Sequence, residues 1–263
     1  MRNGRAPTAT YLYCLVHDKK PPALAGVPPG LPGMRAPRLL DAGDSLWLIA
    51  ADAPLARYGK LPIEKGLQDL KWVSACAVAH EQVVEHFTGA GTIIPMKLFT
   101  LFTNDKRALD HIKDTRKKLD KVIERIARCQ EWGVRIHFNE ARAAASARAE
   151  TKLRAPNAPT GTQFLLLKKK EQDLARQWKE RALAEAERAY QELARIGEDS
   201  RRLPSAEGEP GSRVILDAAF LVPLKKEKQF RGAVNRLTAR VAESYNVMLT
   251  GPWPPYNFVV KAE

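Results

Sequence analysis

Residues 92–138 read TIIPMKLFTLFTNDKRALDHIKDTRKKLDKVIERIARCQEWGVRIHF, and the order of elements in this stretch decides the fold. The run from Thr92 through Ile93 and Ile94 to Phe99 is apolar and partly β-branched, which predicts a strand. Pro95 has no N–H to give to a ladder, so it marks an edge, a bulge or the strand's end. From Asn104 the period changes. Leu109, Ile112, Leu119, Ile123 and Ile126 form one stripe and predict a helix to about Cys129. Trp132-Gly133 punctuates it, and Val134 to Phe138 alternates as a short strand.

The same reading extends in both directions. Upstream, Thr10 to Val16 and Leu46 to Ala51 predict strands. Between them Pro21 to Pro37 carries six prolines and reads as a long surface loop. Residues Glu64 to Phe87 predict one helix with Leu70, Val73, Ala77, Val84 and Phe87 on its apolar side, ended by Gly89 and Gly91. Downstream come an Ala/Arg-rich piece, Glu140 to Glu150, and the turn-rich Pro156 to Pro159. A long helix then runs from Gln163 to Ile196, burying Leu167, Leu174, Trp178, Ala182, Ala186, Ala189, Leu193 and Ile196. Gly197 to Ser212 reads as an exposed loop or disordered link. A strand (Arg213 to Val222), a helix (Lys226 to Tyr245) and a strand (Asn246 to Leu249) follow. Short alternation of helices and strands implies α+β, small sheets with helices packed on them. Two such sets imply two domains, 1–130 and 131–263.

With 44% hydrophobic and 28% charged residues, the 263-residue chain has an ordinary globular balance, which excludes collagen-like and wholly disordered classes. Its 43 basic and 30 acidic residues give a net charge of +13, which favours acidic partners in general and names none. Cys14, Cys76 and Cys129 are scattered and odd in number, as expected of small core residues in a reducing compartment. No secretory leader and no apolar run long enough to span a membrane is legible, so a soluble, cytoplasmic protein is expected.

Chemistry-bearing patterns are sparse. His80-Glu81-Gln82-Val83-Val84-Glu85-His86 imitates a zinc-protease helix, but that motif needs its second His at i+4. Here it falls at i+6, about 240° around the helix, so His80 and His86 face different ways. His80 is expected on the core side and His86 in solvent, with no metal. A metal-dependent hydrolase built on His80, Glu81 and His86 is the weakest of the classes weighed. Phosphate-cradle, dinucleotide and nucleophile-elbow motifs do not occur. Asp114–Lys118, Glu124–Arg128, Arg176–Glu180, Arg181–Glu185 and Arg188–Glu192 are opposite charges at i,i+4, the mark of solvated helix faces. The expectation is no enzyme, no cofactor and no small-molecule substrate. Basic runs at Arg116-Lys117-Lys118, Lys168-Lys169-Lys170, Arg201-Arg202 and Lys225–Lys228 lack the interleaved aromatics of a single-strand platform. They read as solvated faces or sites for an acidic protein. A basic nucleic-acid-associated protein is kept as the alternative class.

The C-terminal segment Thr250-Gly251-Pro252-Trp253-Pro254-Pro255-Tyr256-Asn257-Phe258-Val259 is the most informative. Its prolines push the chain toward extended, polyproline-like geometry, presenting Trp253, Tyr256 and Phe258 at little conformational cost. Two readings stand: the strip caps the sheet of its own domain, or it is a rigid docking surface of Trp253, Pro254, Pro255, Tyr256 and Phe258.

Leu249 to Val259 resembles the C-terminal ending of the gas vesicle protein F/L family. Further similarities follow in family order: Tyr11-Leu12-Tyr13, with Cys14 where glycine is usual; Ala79 to Val84; Thr92 to Phe102, with a glycine replaced at or near Phe99; Glu131 to Arg135; and Gly161 to Leu165. Together they span essentially the whole chain. The resemblance implies two α+β domains, the C-terminal one ferredoxin-like. It also implies a non-enzymatic accessory protein of gas vesicle assembly that contacts the small shell protein and other accessory proteins.

Overall fold

A computed structural model describes residues 7–152, 161–204, 211–241 and 244–259. The turn expected at Pro156–Pro159, the side chain of Leu167 and part of the Gly197–Ser212 link lie outside the described residues. The chain forms two compact units: 1–130 together with 253–263, and 131–252. The C-terminal segment, expected in the second domain, therefore belongs to the first unit.

The first unit contains β1 (Thr8–His17), β2 (Arg38–Asp41), β3 (Leu46–Pro54), α1 (Leu55–Tyr58), α2 (Lys60–Gly66), α3 (Leu70–His86), β4 (Thr92–Pro95), β5 (Leu101–Phe102) and α4 (Asp105–Ile126). Its sheet runs β2-β3-β1-β4, with β5 also on β1, and these pairings are antiparallel. Thr8 stands opposite Pro54 and His17 opposite Leu46, with a bulge between Leu12 and Cys14. The bulge switches the side-chain parity of the strand. Tyr11 before it, Tyr13 within it, and Cys14 and Val16 after it all join one core with Cys76, Val83 and Val84 of α3 and with Phe87 just past its end. Leu12 and Leu15, also without exposed surface, take the other side. There Leu12 and Ile94 share a cleft with Ile112, Leu119 and Val122 of α4. Helices therefore cover both faces of this sheet, which is why β1 is buried nearly throughout.

Four local expectations are corrected in this unit. The helix over Glu64–Phe87 is broken at Leu67–Asp69, because Asp69 accepts from the backbone N–H groups of Lys71 and Trp72 and starts a new helix. The buried side of α3 runs through Cys76, His80, Val83 and Val84, while Leu70 is 80% exposed. The strand after Thr92 stops at Pro95. The proline-rich Pro21–Pro37 stretch is fastened to the sheet rather than free: the Leu31 N–H donates to Tyr13 Oη (3.1 Å) and the Tyr58 hydroxyl to the Pro32 carbonyl (2.7 Å). Gly30 allows this approach, since a Cβ there would lie 2.1 Å from Tyr13 Oη.

The second unit is built from β6 (Cys129–Asn139), α5 (Glu140–Lys152), α6 (Gly161–Ala194), β7 (Asp199–Arg202), β8 (Ser212–Pro223), a 3-10 turn (Leu224–Lys226), α7 (Glu227–Arg240) and β9 (Tyr245–Trp253). Its sheet order is β7-β8-β6-β9. Trp132, Val134 and Ile136 of β6 pack with Leu216, Ala218, Phe220 and Val222 of β8 against Ala186, Ala189 and Leu193 of α6 and Phe230, Val234 and Leu237 of α7. Trp132-Gly133 does not interrupt the chain here. Gly133 lies inside β6, and a Cβ on it would fall 2.5 Å from Thr250 Oγ1. The expected loop after Gly197 holds β7, an edge strand in which Asp199 pairs with Leu221 and Arg202 with Ala218. A strand of charged residues suits an edge, where unpaired backbone must be kept from other chains. The Ala/Arg-rich piece is α5.

Candidate docking site at the C-terminal segment

Strand β9 alternates half-buried and exposed side chains, with Tyr245, Val247 and Leu249 against the second unit's core. It runs on through Gly251, which has a φ of 109°, and the cis Gly251–Pro252 bond to Trp253. The extended strip expected beyond this point ends there. Pro254 and Pro255 are buried, and α8 (Tyr256–Val259) is a single helical turn.

The five residues proposed from sequence are thereby split. Phe258 has no exposed surface and is core, so it cannot serve as a contact residue on the folded surface. Its carbonyl accepts from the Arg125 guanidinium of α4. The Tyr256 hydroxyl donates to Glu81 Oε2 of α3 at 2.6 Å. Burial raises the Glu81 carboxyl, the Tyr256 bond opposing it and Glu85 adding to it. Burial and the same carboxylate push the Tyr256 phenol far above its ordinary range. Glu81 Oε1 is buried without a partner, so all of this carboxylate's pairing rests on the tail. Only Trp253 of the five is well exposed, at 41%. Chain 254–259 caps the first unit and Trp253 stands out from that cap.

The His80 segment is structural. His80 is 3% exposed. Its Nε2 lies 3.1 Å from the Met96 carbonyl, which can only accept, so Nε2 carries the proton and Nδ1 accepts from the Tyr11 hydroxyl at 2.7 Å. Desolvation lowers its pKa to about 4, the Met96 carbonyl opposing this. Both ring nitrogens are thus held by protein, and Glu81 is turned to Tyr256. Among the described residues no cluster of His, Cys, Asp and Glu could hold a metal. Burial also pushes the Cys14 thiol up, and Tyr13 up to about 12. These are properties of an apolar core, with no nucleophile made ready.

Basic residues are partly spoken for. Arg116 pairs with Asp120 at 2.8 Å and donates to the Gly43 and Asp44 carbonyls. Arg240 reaches from α7 to Glu185 (3.0 Å) and Glu192 (3.3 Å) of α6. Of the i,i+4 pairs read from sequence, Arg176–Glu180 stands at 3.9 Å, while Arg188 prefers Glu185, three residues back, at 2.6 Å. No helix among the described residues is long and apolar enough to cross a membrane.

Fold and segment together define a two-unit α+β protein whose C-terminal turn is bolted to its first unit and leaves one tryptophan in solvent. The chain belongs to the gas vesicle synthesis protein GvpL/GvpF family, whose model matches residues 9–260. It is 31% identical to the gas vesicle protein L of Streptomyces sp. (strain CB03234) over 238 residues, 88% of this chain and 86% of that one. A shorter match, 40% identity over 47 residues, is to gas vesicle protein F1 of Halobacterium salinarum and covers 18% of this chain and 22% of that protein. Two crystal structures share the fold. GvpF of Anabaena sp. PCC7120 superposes with a TM-score of 0.69 at 17% identity, covering 96% of this chain and 98% of that one. GvpF of Microcystis aeruginosa gives 0.63 at 15% identity, covering 95% and 98%. Family membership assigns the chain to gas vesicle synthesis.

Proposed function

We propose that this chain is a non-catalytic assembly factor that binds the small gas vesicle shell protein, or another accessory protein, with Trp253 as the central contact. The observation that carries the reading is the mounting of Trp253: exposed itself, and followed at once by buried Pro254 and Pro255 and by Tyr256 bonded to Glu81. A ring held this way loses little freedom on binding, so more of its contact energy is realised as affinity. Pro254, Pro255, Tyr256 and Phe258 act as the base that positions it. The succession strand, helices, strand, strand, helix, strand in residues 129–253, with sheet order β7-β8-β6-β9, supports a ferredoxin-like second half.

The test is Trp253→Ala, with shell-protein binding and thermal midpoint measured on the same preparation. A hot-spot tryptophan costs about 2 kcal/mol or more on truncation, roughly 30-fold in affinity. That weakening is expected with a midpoint close to wild type. Normal binding by a variant whose midpoint has dropped many degrees would reduce the whole segment to a cap and move the docking surface elsewhere.

A further inference from the structure

The two edges of the second sheet are built differently. Edge strand β7 has four residues, three of them charged: Asp199, Arg201 and Arg202. Edge strand β9 has nine, Tyr245–Trp253, and not one is charged. In the first sheet, β2 is four residues with Arg38 and Asp41, and β4 is four residues ending in Pro95. Sheets keep their edges short, charged or proline-stopped because an open ladder of N–H and C=O groups recruits other chains. Among the described edge strands, β9 is the long and uncharged one.

Its register shows which backbone groups are on offer. The Asn139 N–H donates to the Ser244 carbonyl at 2.8 Å, and a Cβ on Gly133 would fall 2.5 Å from Thr250 Oγ1. Both meetings fit one antiparallel register, with Asn139 opposite Ser244 and Gly133 opposite Thr250. Alternate residues of such a strand bond to the same neighbour. Asn246, Met248 and Thr250 therefore turn their N–H and C=O groups toward β6, and Tyr245, Val247, Leu249 and Gly251 turn theirs outward. Pro252 falls in the inward set, so its missing N–H removes no outer donor. Because β9 ends the strand order, no strand takes up the outward set.

The outer edge is complementary to itself. About a two-fold axis at Met248, a second β9 running the other way sets Tyr245 against the copy's Gly251 and Val247 against its Leu249. Symmetry repeats both pairs, so every outward residue of each strand is bonded. An aromatic ring beside a strand glycine and a β-branched residue opposite leucine are favourable cross-strand pairs. Tyr245, Val247 and Leu249 are only half-buried at the margin of their own core, and a further strand covers the remainder. On the exposed face Met248, 44% exposed, meets its own copy at the axis. The net charge of +13 opposes self-association, but the seam carries no charge. Arg135, opposite Met248 in β6, is paired with Asp217 at 2.7 Å. We propose that the chain forms a homodimer by antiparallel pairing of β9 with β9 of a second copy, joining two four-stranded sheets into one. The pairing does not rest on the docking role of Trp253.

Sedimentation equilibrium of the full chain, with amide hydrogen exchange read residue by residue, tests the proposal. Wild type should be a concentration-dependent dimer, with the Val247 and Leu249 N–H groups protected in the dimer and open in the monomer. Met248→Lys places two cations face to face at the axis. It should raise the dissociation constant about tenfold or more, since like charges directly opposite repel. Met248 is exposed in the single chain, so this variant should keep the wild-type circular dichroism spectrum. Met248→Thr, neutral and suited to a strand, should stay dimeric. A monomer at every concentration reached overturns the proposal. So does a dimer that withstands Met248→Lys, or one that leaves Val247 and Leu249 exchanging freely, since another surface would then hold the copies. Protection of those two groups only when a different protein is added also overturns it, and gives the edge to an extended segment of that protein.

Discussion

His80, held by Tyr11 and Met96, resists protonation until about pH 4, against an ordinary value of 6.5. Between these values the unfolded chain binds a proton that the folded chain refuses, so stability falls as pH falls through that window. At about 1.4 kcal/mol per pH unit, the gap corresponds to roughly 3 kcal/mol at most. Glu81, raised by burial, takes its proton first in the folded state and works in the opposite sense above its ordinary 4.5. Urea unfolding of wild type and His80→Gln separates the two groups. The loss of stability from pH 6.5 to 4.5 should shrink in the variant, and an unchanged slope would exonerate His80. Phe99 poses a different residue-scale question. It has a φ of 65°, a left-handed conformation that glycine adopts freely, and yet its ring stacks on Trp72 at 5.2 Å and 10°. The stacking offsets the backbone strain. Phe99→Ala keeps the strain and loses the ring, so it should be less stable than Phe99→Gly by about 1 kcal/mol. Thermal unfolding reversing that order would show that the positive φ carries no strain at this position.

Element α8 is too short to form by itself, since helix nucleation is unfavourable and a four-residue turn cannot repay it. What holds it is tertiary: Phe258 in the core, its carbonyl bonded by Arg125, and Tyr256 on Glu81. Phe258→Ala should therefore cost about 3–5 kcal/mol of stability through the cavity it leaves. Tyr256→Phe should cost about 1–3 kcal/mol, because Glu81 would then have no partner on either oxygen. Chemical denaturation reads both, and a wild-type midpoint for Phe258→Ala would mean that α8 does not dock. A related lesson comes from α3. Its buried positions 76, 80, 83 and 84 have helical spacing, and they include the cysteine and the histidine alongside the two valines. The expected stripe contains His80, Val84 and Phe87 but places Leu70, Val73 and Ala77 on it, where the structure buries Cys76 and Val83.

Across the whole molecule, the first unit is discontinuous in sequence: residues 253–263, which follow the second unit, belong to it. Deleting residues 253–263 should lower hydrogen-exchange protection in α3 and α4 and leave β6 and β8 as in the full chain. Equal loss in both units would show that the segment stabilises the protein without belonging to one unit.

Local order was largely legible in the sequence. The strand-helix-strand reading of residues 92–138, the start of α4 at Asn104 and the long helix before Ile196 come from side-chain period and capping, which depend on neighbours a few residues away. The resemblance of the C-terminal ending to the gas vesicle F/L family was legible for the same reason, as a contiguous run of residues. Tertiary structure decided the rest. The bulge at Tyr13 assigns both sides of β1 to cores, the sheet of the first unit is covered on both faces, and a charged link becomes the edge strand β7. Above all, it is the meeting of Tyr256 with Glu81, 175 residues away, that turns most of an expected docking strip into a cap and leaves Trp253 outside. Such pairings depend on which distant surfaces exclude water together, a sum over segments that no local pattern contains.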